Sequence, residues 1–574
     1  MQDALPLDRP SSAGRTYGTL KLVGDKWVLS GVPPHVAIRL KATFPRLAKT
    51  QAGKFMFDDR PVTCADLAWF ISRYPMMIEP QFAKALEGGR ARHLREASQI
   101  EDVLSLQWQG GTIAGFREGK RPFVFQQRPI EICARLGRLL TMDEGGLGKT
   151  VTAIGTMLRV DRWPAVAVVE PHLAQQWRKK IREFTQLRAH VIEGTQPYTL
   201  PPADVYVFRY SNIAGWVDVA HQRPFRQVHF DEIQSLRRGT ETGKGAAAKV
   251  FSEAADVVGG YSATPIYNYG SEVFNVLNYV APGALGDWNE FLREWCKPGP
   301  GGNWVVEDPD ALGTYLKDQN LSLRRTYDDP EIVAELGEAL PKPNIVSIDV
   351  QHDEKVEADA FDLCRALAIK VVSGSFVERG QAARELNATV RRITGVAKAR
   401  QVAATVRLLL SDGEPILLAG WHREVYDIWS RELAAFNPVL YTGSESPAAK
   451  EKAKEDFLSG KSRVMFISLR SGAGLDGLQD VCNHLVIGEL DYSPQVHEQL
   501  IWRLRRLGQK RWPVSVFYLL SNGGSDPMTA NILGLKASQS RGITDPMAGI
   551  EQVLSDESRI KMLAHRYLEG GRND

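Results

Sequence analysis

From about residue 122 onward, short apolar runs rich in β-branched residues alternate with longer stretches whose apolar positions recur at helical spacing. "PAVAVVEP" (164–171) is followed by "HLAQQWRKKIREF" (172–184), then by "ADVYVFRYS" (203–211) and "RQVHFDEIQ" (226–234). Such alternation predicts a parallel sheet with crossover helices. A second series opens at "NIVSIDV" (344–350) and continues through "EPILLAGW", "SRVMFIS", "NHLVIGEL" and "WPVSVFYLL". Between the two series, "WCKPGPGGNWVVEDPD" (295–310) has the Gly, Pro and Trp content of an irregular surface loop.

The first 118 residues follow neither series. "GTLKLVGDKWVLSG" (18–31) predicts a hairpin about its "VGDKW", and "CADLAWFISRYP" (64–75) has helical spacing, so a small α+β domain is expected there. Two tandem α/β lobes are expected over 119–340 and 341–574. The total of 574 residues exceeds one hydrophobic core, and roughly 150 residues per domain gives about three or four units.

Charge changes the picture only locally. The net charge of +3 is too small to argue for nucleic-acid binding, but residues 1–120 hold 17 Lys and Arg against 12 Asp and Glu. That basic excess fits either a solvated face or a module contacting phosphates. The five cysteines form no C-x-x-C pair and have no histidines at ligand spacing, which excludes a zinc knuckle and fits a reducing compartment. The opening "MQDALPLDRP" is acidic before it is apolar, and no run of 18 apolar residues occurs. Secretion and membrane insertion are therefore not expected, and the cytoplasm is the expected location.

"TMDEGGLGKTV" (141–151) carries candidate chemistry. It ends as a phosphate loop does, at Gly148-Lys149-Thr150, yet Asp143 stands where the strict G-x-x-x-x-G-K-[ST] pattern has its first glycine. An apolar run precedes it and a helix-forming stretch follows, which puts Lys149 and Thr150 at a helix N-terminus, where free N–H groups and the helix dipole favour phosphate. Lys149 is expected at the β/γ-phosphates and Thr150 at Mg²⁺. "QVHFDEIQ" ends a strand in Asp231-Glu232, an acid for Mg²⁺ and a carboxylate to activate water. "VVGGYSATPIYN" (257–268) ends another strand in Ser262-Ala263-Thr264.

In this order, "DEGGLGKT", "HFDEIQ", "SATPIYN", "SLRSGAGLDGLQ" and "EQLIWRLRRLGQK" resemble motifs I, II, III, V and VI of superfamily two helicases, and within these the SWI/SNF-type DNA translocases. "VFQQRPIEICARLGRLL" resembles the upstream Q-type motif, and "VVEPHLAQQWRKKIREF" resembles motif Ia. The match covers about residues 120–540 and is nearest to small annealing-helicase-like members and compact bacterial or phage forms. That branch carries D-E-x-G-L-G-K-T in place of the strict loop, which accounts for Asp143.

The resemblance implies two tandem RecA-like P-loop NTPase lobes behind the small N-terminal domain. It implies an ATP-dependent double-stranded DNA translocase that remodels DNA or nucleoprotein in replication, recombination or repair, with ATP and Mg²⁺ as cofactors and double-stranded or branched DNA as partner. Its nucleotide-binding residues would be Gln126 (or the adjacent Gln127), Asp143, Glu144, Gly145, Gly146, Leu147, Gly148, Lys149, Thr150 and Gln499, with Thr150 and Asp231 at the metal. The catalytic set would be Lys149, Asp231, Glu232, Gln234, Arg503 and Arg506, the arginines acting as fingers from the second lobe. DNA contacts would fall on Pro171, His172, Ser262, Thr264, Thr442, Gly443, Ser471, Gly472 and Asp476.

Three departures from the family pattern bear on coupling. Gln234 replaces the usual histidine of D-E-x-H, motif V is one residue shorter than usual, and Trp502 stands where a small residue is common. The alternatives are an ATP-switched DNA-binding subunit of a restriction or defence assembly, and a strand-separating helicase. The N-terminal 118 residues are expected to choose among DNA structures.

Overall fold

The computed structural model describes residues 16–105, 107–222, 224–266, 272–298, 304–337, 340–469, 475–530, 564 and 567–568. The chain divides into two compact units, one of Met1–Gly110 with Pro282–Lys297, the other of Gly111–Ala281 with Pro298–Asp574. The first division thus falls at Gly110 rather than at residue 118, and this unit also takes in a later segment.

In the first unit, β1 (Thr19–Val23) and β2 (Lys26–Ser30) form an antiparallel hairpin whose turn needs the left-handed φ of Gly24. With β3 (Lys54–Asp58) and β4 (Met77–Ile78) they make a sheet in the order β3-β2-β1-β4. Alternation decides the faces: Leu20, Trp27, Leu29 and Phe55 are buried, while Lys21, Val23 and Met56 are exposed. Helices Pro61–Arg73 and Pro80–Leu104 pack closely because residue 89 is glycine; a Cβ there would stand 2.4 Å from Cys64 Sγ. The later segment contributes helix Trp288–Trp295, capped reciprocally by Asp287 and Glu290. Arg46 Nε meets Glu294 Oε2 at 2.6 Å, and Arg60 Nη2 donates to the Pro282 carbonyl at 2.7 Å.

The second unit contains two parallel sheets, one in each of two lobes. Lobe 1 holds β5 (Arg138–Thr141), β6 (Ala165–Val169), β7 (Ala189–Val191), β8 (Val205–Arg209), β9 (Gln227–Asp231) and β10 (Val257–Tyr261). After two short strands, β11 (Cys296–Pro298) and β12 (Trp304–Val306), β13 (Ser322–Leu323) completes the sheet. Those short strands lie where an irregular loop was expected. The order is β13-β5-β10-β9-β6-β8-β7. Every residue of β6, β9 and β10 is buried, the mark of strands covered on both faces.

Lobe 2 holds β14 (Asn344–Val350), β15 (Ile416–Gly420), β16 (Val439–Tyr441), β17 (Val464–Ser468), β18 (His484–Ile487) and β19 (Ser515–Ser521), in the order β14-β19-β18-β15-β17-β16. Helix Phe376–Leu410, 35 residues long and started by a Ser375–Glu378 capping box, packs its Ala399, Val402, Ala403 and Val406 into the core against β15 and Trp429. Among the described residues, no helix is long and apolar enough to cross a membrane.

Candidate nucleotide-binding cleft

The lobe 1 order brings three motif-bearing strand ends side by side. Tyr261 of β10 is in register with Thr141 of β5 on one side and Asp231 of β9 on the other. The loops leaving these strands therefore start level, at the carboxyl edge of the sheet, where open α/β sheets bind ligands.

The loop after β5 turns through left-handed Gly146 (φ 91°) and Gly148 (φ 85°) into helix Lys149–Val160, whose first N–H groups have no intrahelical acceptor. A Cβ at Gly146 would stand 2.4 Å from Tyr327 Oη, and one at Gly148 would stand 2.4 Å from Gln126 Nε2. Lys149 Nζ donates to the carbonyls of Asp143 (2.7 Å) and Glu144 (3.3 Å). Burial lowers its pKa, against the opposing pull of Glu232, Asp143 and Asp231. Lys149 and Thr150 line the cleft with Gly145, Gly146 and Gly148, and the Leu147 side chain points away into a cluster with Phe125, Tyr327 and Ile332.

Asp231 accepts from Trp177 Nε1 at 2.7 Å, while its carbonyl accepts from Tyr210 Oη at 2.9 Å. Burial, reinforced by the neighbouring Glu232 charge, pushes the Asp231 carboxyl up to about 7. Such a buried carboxylate calls for a cation, and with the Thr150 hydroxyl it offers the hard oxygen donors that Mg²⁺ takes. Among the described residues no group of three or more His, Cys, Asp or Glu could hold a metal ion by itself, so nucleotide oxygens would have to complete the shell. Glu232 sits at a left-handed φ of 51°, and its Oε2 accepts from Gln234 Nε2 at 2.5 Å. Gln234 thus orients the Glu232 carboxylate.

From lobe 2, helix Pro494–Leu504 and the residues after it face the same cleft with Gln499, Trp502, Arg503 and Arg506. Arg503 is half-buried, its Nε is buried and unpaired, and desolvation together with Arg506 lowers its pKa to about 10. An unpaired buried donor in a cleft lined by a phosphate loop suits an anionic ligand.

Residues 65–340 match the SNF2-related domain. An uncharacterized ATP-dependent helicase, YqhH of Bacillus subtilis (strain 168), is 24% identical over 423 residues, covering 65% of this chain and 71% of the relative. The Drosophila melanogaster SWI/SNF-related matrix-associated actin-dependent regulator of chromatin subfamily A-like protein 1 is 25% identical over 421 residues, 70% of this chain and 53% of the relative. Human DNA annealing helicase and endonuclease ZRANB3 is 25% identical over 430 residues, with 70% and 38% covered. The chain therefore spans about half or less of these two animal relatives. Among solved structures, the Sulfolobus solfataricus SWI2/SNF2 ATPase core in complex with dsDNA is 16% identical over 76% of this chain and 99% of that one, with a TM-score of 0.37.

Several residues expected at the nucleotide or DNA are engaged otherwise. Asp143 pairs with Arg325 through Nε (3.0 Å) and Nη2, both side chains being buried. Glu144 likewise turns away from the loop: its Oε1 accepts from Arg505 Nη1 (2.5 Å) and Trp502 Nε1 (3.2 Å), and its Oε2 from Tyr327 N (3.0 Å). Gln126, expected at adenine, accepts from Phe123 N (3.1 Å) and donates to Leu147 O (2.9 Å), tying its helix to the phosphate loop. Gln127 bonds the Gly111 N–H and the Pro122 carbonyl.

Asp476, expected on DNA, lies in the cleft instead. It accepts from Gln176 (2.6 Å) and meets Lys180 (3.2 Å) and Arg506 (2.9 Å), cations that hold its carboxyl down at about 2. Thr264 accepts from Gln499 Nε2 across the lobes at 3.1 Å, and Ser262 Oγ accepts from Thr264 N at 2.9 Å; both hydroxyl residues are buried rather than offered to a duplex. Thr442 closes a local turn onto Glu445. Pro171, His172 and Gly443 are exposed. Ser471 and Gly472 lie outside the described residues.

Five residues enter the site that sequence reasoning did not single out: Gln176, Trp177, Lys180, Arg325 and Arg505. The first three share helix Ala174–Phe184, where the spacing 176, 177, 180 marks a face without saying which strand end it meets.

Proposed function

We propose that this chain hydrolyses ATP with Mg²⁺ and uses the cycle to move along double-stranded DNA. The observation that carries this reading is that Lys149, Asp231 and Glu232 of lobe 1 and Arg503 and Arg506 of lobe 2 line one cleft. Bound ATP would supply the phosphoryl group whose transfer to water drives the motion. Lys149 and the helix N-terminus take up phosphate charge, and Thr150 and Asp231 are the protein donors to Mg²⁺. Glu232, held by Gln234, accepts the proton of the attacking water. Arg503 and Arg506 offset charge on the transferring group from the other lobe, so only a closed cleft is complete. Closure and reopening of two lobes gripping one backbone gives a step, and a motor that tolerates any sequence has to grip phosphates. The names of its relatives, an ATP-dependent helicase and a DNA annealing helicase, support the same assignment.

The test is ATP turnover with and without duplex DNA, followed by displacement of a triplex strand from an otherwise blunt duplex. DNA-stimulated turnover with triplex displacement and no strand separation is the expected result. Turnover indifferent to DNA would reject a translocase in favour of an ATP-switched binding subunit, and unwinding of a plain duplex would make the chain a helicase.

A further inference from the structure

Glu144 touches both halves of the cleft. Its backbone carbonyl accepts from Lys149 Nζ at 3.3 Å, and its carboxylate accepts from Arg505 Nη1 at 2.5 Å and Trp502 Nε1 at 3.2 Å. Both carboxylate oxygens are engaged, since Oε2 takes the Tyr327 N–H. The Arg505 guanidinium is anchored further by the carbonyls of Pro341 (3.0 Å) and Leu340 (3.3 Å) and lies 5.0 Å from the Tyr327 ring. The Glu144 and Arg505 side chains are 13% and 7% exposed, which shields their attraction from solvent.

Arg505 also lies between Arg503 and Arg506 in sequence, so the contact that fixes residue 505 fixes where the other two can reach. Arg506 is placed against the loop as well, since a Cβ on Gly146 would stand 2.8 Å from its own Cβ. From these contacts we propose that Glu144 is a positioning residue, which docks the arginine-bearing segment of lobe 2 onto the phosphate loop and links the Lys149 ammonium to the Arg503–Arg506 pair. A phosphate that draws Lys149 off the Glu144 carbonyl then acts on the residue that holds Arg505. The inference rests on the reading of the cleft as an ATPase site.

The test compares E144Q, R505Q, the double variant and R505K, with turnover normalised to the number of sites that bind MgADP, so that loss of folded protein does not count. E144Q and R505Q should each lower kcat about tenfold while MgADP affinity stays within about twofold. The double variant should be no worse than the poorer single one, because the two side chains form one contact. R505K, which keeps the charge facing Glu144, should recover activity over R505Q. Wild-type-like kcat in E144Q, or losses that multiply to about a hundredfold in the double variant, would overturn the proposal. A wild-type chain with no ATP turnover at all would instead remove the ATPase reading, and the positioning role with it.

Discussion

Asp143 and Arg325 form a buried ion pair beneath the phosphate loop, 182 residues apart in sequence and joined through both oxygens of the carboxylate. Arg325 also donates to the Phe125 carbonyl and lies 3.7 Å from Glu331, so it clamps the loop, the helix before β5 and the segment after β13 together. Removing one partner of such a pair strands a charge out of water, at roughly 3–5 kcal/mol. D143G, which restores the glycine of the strict phosphate-loop pattern, should therefore lower stability by about that much and leave nucleotide affinity no better. Denaturant melts and MgADP titration check this, and a stability change below about 1 kcal/mol would show that the pair is not the clamp.

Asp476 makes a second electrostatic prediction, with a defined sign. Its carboxyl is held down at about 2 by Arg506 and Lys180, below its unfolded value, so its contribution is fully present above about pH 4 and is lost as pH falls toward 2. The contribution is about 2 kcal/mol at most, less what solvent screens. Wild type and D476N should thus differ in denaturant midpoint at pH 5, and the gap should narrow at pH 3. A constant gap would assign the difference to something other than this titration.

Gln234 is the third case. Its Nε2 holds Glu232 at 2.5 Å, and its own Oε1 is buried without a partner. Q234L removes the donor and should lower kcat about tenfold at unchanged KM, whereas E232Q should lower it about 100-fold to 10,000-fold. Steady-state turnover in the presence of duplex DNA measures both. Normal turnover in E232Q would take the general-base role from this residue.

The lobes and their strands were legible because β6, β15 and β17 are continuous apolar runs bounded by polar turns, Asp231 and Glu232 were legible at the end of a strand, and Lys149 at the start of the helix that follows one. The partners of these residues were not. Asp143 reads as a nucleotide residue from its place in the loop, yet its partner Arg325 follows a two-residue strand, Ser322–Leu323, too short to leave a periodic signal. Asp476 reads as a DNA contact from its motif, but only the packing of the lobes decides that Lys180 and Arg506 surround it. Helix Trp288–Trp295 carries a readable capping box; its membership of the N-terminal unit depends on Arg46 and Glu294, 248 residues apart, which no local pattern reports.

Gly145 and Trp502 give the last prediction. A Cβ on Gly145 would lie 2.3 Å from the Trp502 ring, closer than any relaxed contact allows, so a methyl there must displace the indole and break its bond to Glu144. Overpacking of this kind costs roughly 1–3 kcal/mol, and in a cleft that must close it also costs turnover. G145A should accordingly lower DNA-stimulated kcat about tenfold, and W502A introduced into G145A should restore part of it by clearing the space. W502A alone should lose activity through the missing Glu144 contact, so W502A lowers activity in the wild-type background and raises it in the G145A background. That sign change, measured as a double-mutant cycle on kcat, is specific to a steric conflict between these two residues. Simple additivity would mean that Trp502 does not lie over the phosphate loop in the working enzyme.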